Sequence, residues 1–125
     1  INLGTNDATA ICAAAELGQV WAGTMDAKEA EKILTAAIRD FLKVVREHNP
    51  RAQIIWGYGM LGDNLLPVIR KAVENYAAET EDVGINFLQL PDTTEETVGS
   101  RMHPGVKAHE KAAQVLEKFL RQKLV

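Results

Sequence analysis

The chain is short of several residue types. It holds one cysteine, Cys12, so no disulfide can close within its 125 residues, and a lone thiol does not fix a compartment. It holds one serine, Ser100, which leaves a single candidate for serine nucleophilic chemistry. No apolar run is long enough to span a bilayer, so no membrane partner is expected. Lysine and arginine (14) do not outnumber aspartate and glutamate (17), and the net charge is -3. Without a basic stripe, nucleic acid is not an expected partner. There is no signal-peptide pattern, repeat, linker or low-complexity segment.

What is present is ordinary globular material, 46% hydrophobic and 25% charged. That length suits one domain burying roughly two thirds of its unfolded surface. Apolar residues recur at Ala30, Ile33, Leu34, Ala37, Ile38, Phe41, Leu42 and Val45, one face of a helix. Asp26 with Glu29 forms a capping-box pattern at its start, and His48-Asn49-Pro50 stops it. Further helices are expected over 9–17, 64–78 (Pro67 in the first turn) and from 105 or 106 to 124. Short apolar runs at 1–3, 53–56 and 85–90 lack alternation, as buried parallel strands do. Strands alternating with helices predict an α/β fold with a parallel sheet and right-handed crossovers. Three strands make a small sheet that wants covering on both faces. An apolar strand at residue 1 therefore predicts more sheet, from sequence upstream or from another chain.

In such sheets ligands bind at the carboxyl ends of the strands. The expected loops there are 4–8, 57–62 and 92–104. Asn6 can donate its amide N–H to a developing oxyanion, or Asn6 and Asp7 can simply cap the Ala-rich helix. His103, at a loop-to-helix junction before Pro104, is either a general base or a junction histidine. His109 lies six residues on, which is not the i, i+4 spacing of a zinc pair, so no metal site is expected. Trp21, Tyr58 and Met60 are candidates for lining a pocket, whereas Trp56, inside an apolar strand, reads as core.

Ile1-Asn2-Leu3-Gly4-Thr5-Asn6-Asp7 resembles the Gly-x-Asn-Asp block of the SGNH (GDSL-type) hydrolases. Met102-His103-Pro104-Gly105 resembles their block Asp-x-x-His-Pro, followed by a helix. Trp56-Gly57-Tyr58-Gly59-Met60-Leu61-Gly62 further resembles the acetylxylan-type esterases of carbohydrate esterase family 2. The resemblance implies a three-layer α/β/α, flavodoxin-like fold of which residues 1–125 form the C-terminal part. It implies His103 as the base that activates a serine, Asn6 as an oxyanion donor, and Gly4 and Asp7 as residues shaping its loop. His109 becomes a packing or capping residue of the last helix. The implied reaction is hydrolysis of carbohydrate O-acetyl esters through an acyl-enzyme, with no cofactor. Secretion is implied by the resemblance alone.

Two departures accompany it. The family's Gly-Asp-Ser nucleophile block and the block supplying an oxyanion glycine are absent, so the serine is expected in an N-terminal portion, acting in cis or in trans. Ser100 stands three residues before His103, where the family carries aspartate. Ser100 reads as a replaced acid, not a nucleophile, because it lacks a strained strand-to-helix turn. A backbone carbonyl, Asp92, Glu95 or Glu96 can then take the Nδ1 proton of His103, although Glu95 and Glu96 also read as a solvated loop. The rivals are a non-catalytic carbohydrate-binding or interaction domain of the same fold, and an SGNH lipase or thioesterase.

Overall fold

The computed structural model describes residues 1–9, 11 and 27–124. The long helix α1 runs Ala27–His48 and buries Ile38 and Leu42. Its expected N-cap, Asp26, lies outside the described residues. Its end is fixed by Arg46. The guanidinium donates to the carbonyls of Asn49 (2.9 Å) and Ala52 (2.8 Å) and forms a bidentate pair with Asp82 (2.6 and 3.0 Å). That fork ties together the two turns that launch the strands.

Strand β1 is Ile54–Tyr58 and β2 is Ile85–Gln89. They pair in parallel, from Ile54 beside Ile85 to Tyr58 beside Gln89. β1 reaches two residues past the expected 53–56, because Gly57 and Tyr58 still make ladder bonds: Gly57 N–H donates to Ile1 O (2.7 Å) and Leu90 N–H to Tyr58 O (2.8 Å). On the other side, Ile1 N donates to Ile55 O at 2.8 Å. Those two bonds to Ile1 are the parallel pattern, with Ile1 lying beside Trp56. The expected strand at 1–3 is thus reduced to one laterally bonded residue along the outer edge of β1. The expected loop 4–8 is corrected as well: residues 5–9 are helical, and Ala8 N–H closes the first helical bond onto Gly4 O (2.9 Å).

The strands alternate. Ile54, Trp56, Tyr58 and Ile85 point to one face, where they meet Ile38 and Leu42 of α1 and Ile69, Ala72 and Val73 of α2 (Leu66–Glu79). Helix α2 carries Pro67 in its first turn, where its missing N–H costs nothing. Trp56 is 3% exposed, meets Phe41 edge to face at 6.1 Å and donates Nε1–H to Leu3 O (3.2 Å). It is core, as its apolar strand predicts. The opposite face is covered by α3 (Val106–Lys123) through Ala108 and Ala112, packed with Met60 and Leu90. Two helices, a parallel sheet and one helix make three layers, the α/β/α order expected. The α3 face is incompletely filled. A groove of about 480 Å³ separates Ile55, Gly57 and Leu88 from Ala113, Leu116 and Leu120.

Candidate functional site

Three segments leave the carboxyl edge of the sheet: residues 4–9 beside β1, the turn 59–62 after β1, and the loop 90–105 after β2. The second and third are joined. Asp92 Oδ1 accepts from Gly62 N–H (3.0 Å) and Thr93 N–H (2.8 Å). Thr93 returns two bonds to Met60 O, from its N–H (3.1 Å) and its hydroxyl (2.6 Å). Gly59 allows this close approach. Its φ is +129°, and a Cβ there would stand 2.6 Å from Leu90 O.

The first corner is built by packing. Gly4 is buried at φ +120°, and a Cβ on it would meet Ile69 Cδ1 at 2.6 Å and Tyr58 Cε2 at 3.1 Å. Only glycine lets the chain pass this close to α2 and then turn into a helix at residue 5. Asn6 and Asp7 fall in the first turn of that helix, both exposed at the sheet's carboxyl edge. Asp7 there complements the positive end of the helix dipole.

The second corner is built by hydrogen bonds. Val98 and Pro104 form an antiparallel bridge. Gly99 N–H donates to His103 O (2.7 Å), and Gly105 N–H donates to Thr97 O (2.9 Å). Beneath them Thr97 is 2% exposed, and its hydroxyl oxygen accepts from Thr94 N–H at 2.8 Å. Inside this frame Arg101 (φ 54°) and Met102 (φ 62°) are consecutive left-handed residues, neither of them glycine. Such backbone costs about 1 to 3 kcal/mol per residue and persists only where its surroundings enforce it. Its product is local. The Arg101 carbonyl lies 2.9 Å from His103 Nδ1. A carbonyl only accepts, so Nδ1 carries the proton, and the lone pair of Nε2 is left to take one. His103 is exposed on this turn.

The remaining candidates sort as follows. Ser100 contributes its carbonyl to His103 N–H (3.1 Å) and opens the 3-10 turn Ser100–Met102. No hydrogen bond joins its hydroxyl to the His103 ring among the described residues. Asp92 spends Oδ1 on the loops, and Glu95 and Glu96 are exposed on a turn. None of the three carboxylates is hydrogen-bonded to His103 among the described residues, so the Arg101 carbonyl takes the orienting position. Tyr58 is corrected from pocket wall to core. At 1% exposure it lies among Ile69, Val73 and Gly4, because strand alternation turns it inward. Met60 is 8% exposed, packs with Leu90 and Ala108 and lines the groove under α3. Trp21 lies outside the described residues. His109 is exposed and borders that groove, and its backbone N–H donates to Gly105 O (3.1 Å). What sequence reasoning did not single out is the left-handed pair Arg101–Met102 and the buried Thr97. A backbone carbonyl has no letter in a sequence, and left-handed arginine and methionine have no signature.

With a base-like histidine on a strained turn at the carboxyl edge of a parallel sheet, comparison with known proteins becomes informative. This chain is similar to an acetyl xylan esterase. The solved structure is Est2A from the rumen bacterium Butyrivibrio proteoclasticus, 42% identical, with a TM-score of 0.83 over 98% of this chain. The chain spans 35% of the length of Est2A. No protein-family model matches the chain, and no curated protein does. An identity of this size over nearly the whole chain carries more than a shared topology.

Proposed function

We propose that this chain is the histidine-bearing, C-terminal part of an SGNH (GDSL-type) serine esterase that removes acetyl groups from carbohydrate. The observation that carries the reading is His103, with Nδ1 held by the Arg101 carbonyl at 2.9 Å on a turn of two left-handed residues that are not glycine. The likeness to Est2A supports acetylated xylan as the substrate class.

In this reading Nε2 of His103 removes the proton from a serine hydroxyl supplied by the rest of the domain. The serine oxygen bonds the acetyl carbonyl carbon, and the oxyanion so formed accepts from the Asn6 side-chain N–H. Collapse breaks the bond to the sugar oxygen, which leaves with the proton from Nε2. Water, deprotonated by the same nitrogen, then releases acetate and restores the serine. The Arg101 carbonyl does what a carboxylate does in a triad. It fixes the tautomer and faces the imidazolium with the negative end of a dipole. It supplies less charge than a carboxylate does.

The unfilled face of the sheet supports completion of the domain by further sequence. Ile1 is bonded laterally to β1 on one side, and no described strand lies on its other side. The 480 Å³ apolar groove under α3 is bounded by the same first segment, at Ile1 and Asn2. Another strand beside Ile1 and a helix over the groove would close both, in cis or in trans, and would bring the serine to the carboxyl edge.

The test is a fluorophosphonate probe on the complete esterase, with the label located by mass spectrometry. A label on a serine outside this sequence, lost in His103→Ala, supports the reading. A label on Ser100 replaces it with a hydrolase self-sufficient in this chain. No label on folded protein favours a non-catalytic carbohydrate-binding domain.

A further inference from the structure

We propose that the cleft between the 59–62 turn and the 92–102 loop holds a pyranose ring of the polysaccharide backbone next to the one being deacetylated. This rests on the esterase reading above and adds a substrate subsite to it. The cleft has a volume of about 500 Å³. An acetyl group would leave most of that space empty, whereas it is in the range of sites that hold ring-sized ligands, roughly 300 to 1,000 Å³. Its wall is mostly apolar, formed by Leu61, Val98 and Met102. Leu61 is 36% exposed and Met102 77% exposed, large apolar side chains left in water at the edge where the ligand must arrive. Its rim is acidic and hydroxylic, formed by Asp92, Thr94 and Glu95.

A pyranose ring matches both halves. Its C–H faces lie against apolar side chains, and its hydroxyls donate to carboxylates. Asp92 offers an oxygen for this. Oδ1 is committed to Gly62 N–H and Thr93 N–H, which pins the carboxylate of this exposed residue and leaves Oδ2 as the acceptor for a ligand hydroxyl. Glu95 is exposed beside it and holds no hydrogen bond or ion pair with a described residue. The two negative charges disfavour an anionic ligand and accept from a neutral one. Charged oxygens on the rim also work against a long acyl chain, which would strip their water without returning a hydrogen bond. The cleft adjoins the turn that carries His103, since Met102 lines it and directly precedes His103. Both residues are presented by the same left-handed turn, so the strain that sets the imidazole also sets the cleft wall.

The complete esterase is assayed on three substrates, an acetylated xylo-oligosaccharide, 4-nitrophenyl acetate and 4-nitrophenyl octanoate, as wild type and as Leu61→Asp, Met102→Ala, Glu95→Gln and His103→Ala. The readout is the ratio of kcat/KM for the oligosaccharide to that for 4-nitrophenyl acetate, from which any loss of folded protein cancels. Met102, being exposed, is a change the fold tolerates. The ratio is expected to fall about tenfold in Leu61→Asp and severalfold in Met102→Ala, as removal of apolar contact area implies, mainly through KM for the oligosaccharide. It falls less in Glu95→Gln, which keeps one acceptor. An unchanged ratio in Leu61→Asp and Met102→Ala overturns the subsite while the esterase reading stands. A selective loss on 4-nitrophenyl octanoate, with no loss on the oligosaccharide, also overturns it and makes the cleft an acyl pocket. Hydrolysis of 4-nitrophenyl acetate that survives His103→Ala overturns the esterase reading itself, and the subsite with it.

Discussion

The two corners of the candidate site are held by different forces. At residues 4–6 the backbone is placed by packing: Gly4 is wedged against Ile69 and Tyr58, and a regular helical turn follows. Across residues 97–105 Thr97 alone is buried, and residues 99–103 are all exposed. The geometry comes from hydrogen bonds between near neighbours and from two left-handed residues. A packed corner is stiff because moving it opens a cavity. A hydrogen-bonded corner is stiff only while each bond is made, and it can be retuned one bond at a time. An oxyanion donor has to stay still, whereas a base has to exchange protons and accept two charge states. The division suits the tasks proposed for Asn6 and His103.

The largest expected effect lies at the second corner. In the complete esterase, His103→Ala is expected to lower kcat/KM on 4-nitrophenyl acetate on the order of 10⁴-fold, since it removes both the base and the later acid. Asn6→Ala is expected to cost about 10²- to 10³-fold, the usual loss for one oxyanion donor. If Asn6→Ala proves silent in rate but lowers the melting temperature, Asn6 is a capping residue and the first corner has no catalytic part.

Packing at the first corner is tested by a double-mutant cycle. Gly4→Ala puts a methyl 2.6 Å from Ile69 Cδ1 and holds alanine at φ +120°. Together these are expected to destabilise by about 2 to 4 kcal/mol in urea unfolding. Ile69→Val removes that Cδ1 at a cost of about 1 kcal/mol alone. The double variant is expected to be less unstable than the sum, with a coupling of about 1 kcal/mol. Strict additivity would mean that the backbone angle, and not the contact, makes Gly4 necessary.

Strain at the second corner predicts a smaller effect of opposite character. Arg101→Gly relieves the left-handed penalty but frees the unfolded chain, so stability is expected to change by less than about 1 kcal/mol. Activity is nevertheless expected to fall severalfold, because the carbonyl that fixes His103 becomes mobile. Stability and activity would then separate at Arg101 and move together at Gly4.

The same contrast explains what could be read in advance. The parallel sheet, the helix after each strand and the inward Trp56 follow from apolar runs and their periods, which packing obeys. Gly4 stands out in the sequence only through the Gly-x-Asn-Asp resemblance, and its buried close approach to Ile69 and Tyr58 is a finding of the structure. Tyr58 lies in the core and not on a pocket wall because the strand runs two residues further than its apolar letters. Those extra ladder bonds are made to Ile1 and Leu90, distant in sequence. At His103 the sequence leaves the partner of Nδ1 open among a backbone carbonyl and three carboxylates. Hydrogen bonds between backbone groups do not depend on side-chain identity, so sequence could not choose.

The smallest expected effect is at Ser100. Its carbonyl, not its hydroxyl, supports the turn, through His103 N–H at 3.1 Å. Ser100→Ala is therefore expected to leave turnover of 4-nitrophenyl acetate within about a factor of two, as for a surface substitution. Collapse of the rate would instead make Ser100 the nucleophile. Ser100→Asp sharpens the same point. A carboxylate three residues before His103, where the resembled family carries aspartate, offers Nδ1 a charged acceptor in place of the Arg101 carbonyl. If Nδ1 stays on the Arg101 carbonyl, kcat/KM on 4-nitrophenyl acetate is expected to change by less than about a factor of two. A clear rise would show that a dipole is a weaker partner than a charge for this imidazole.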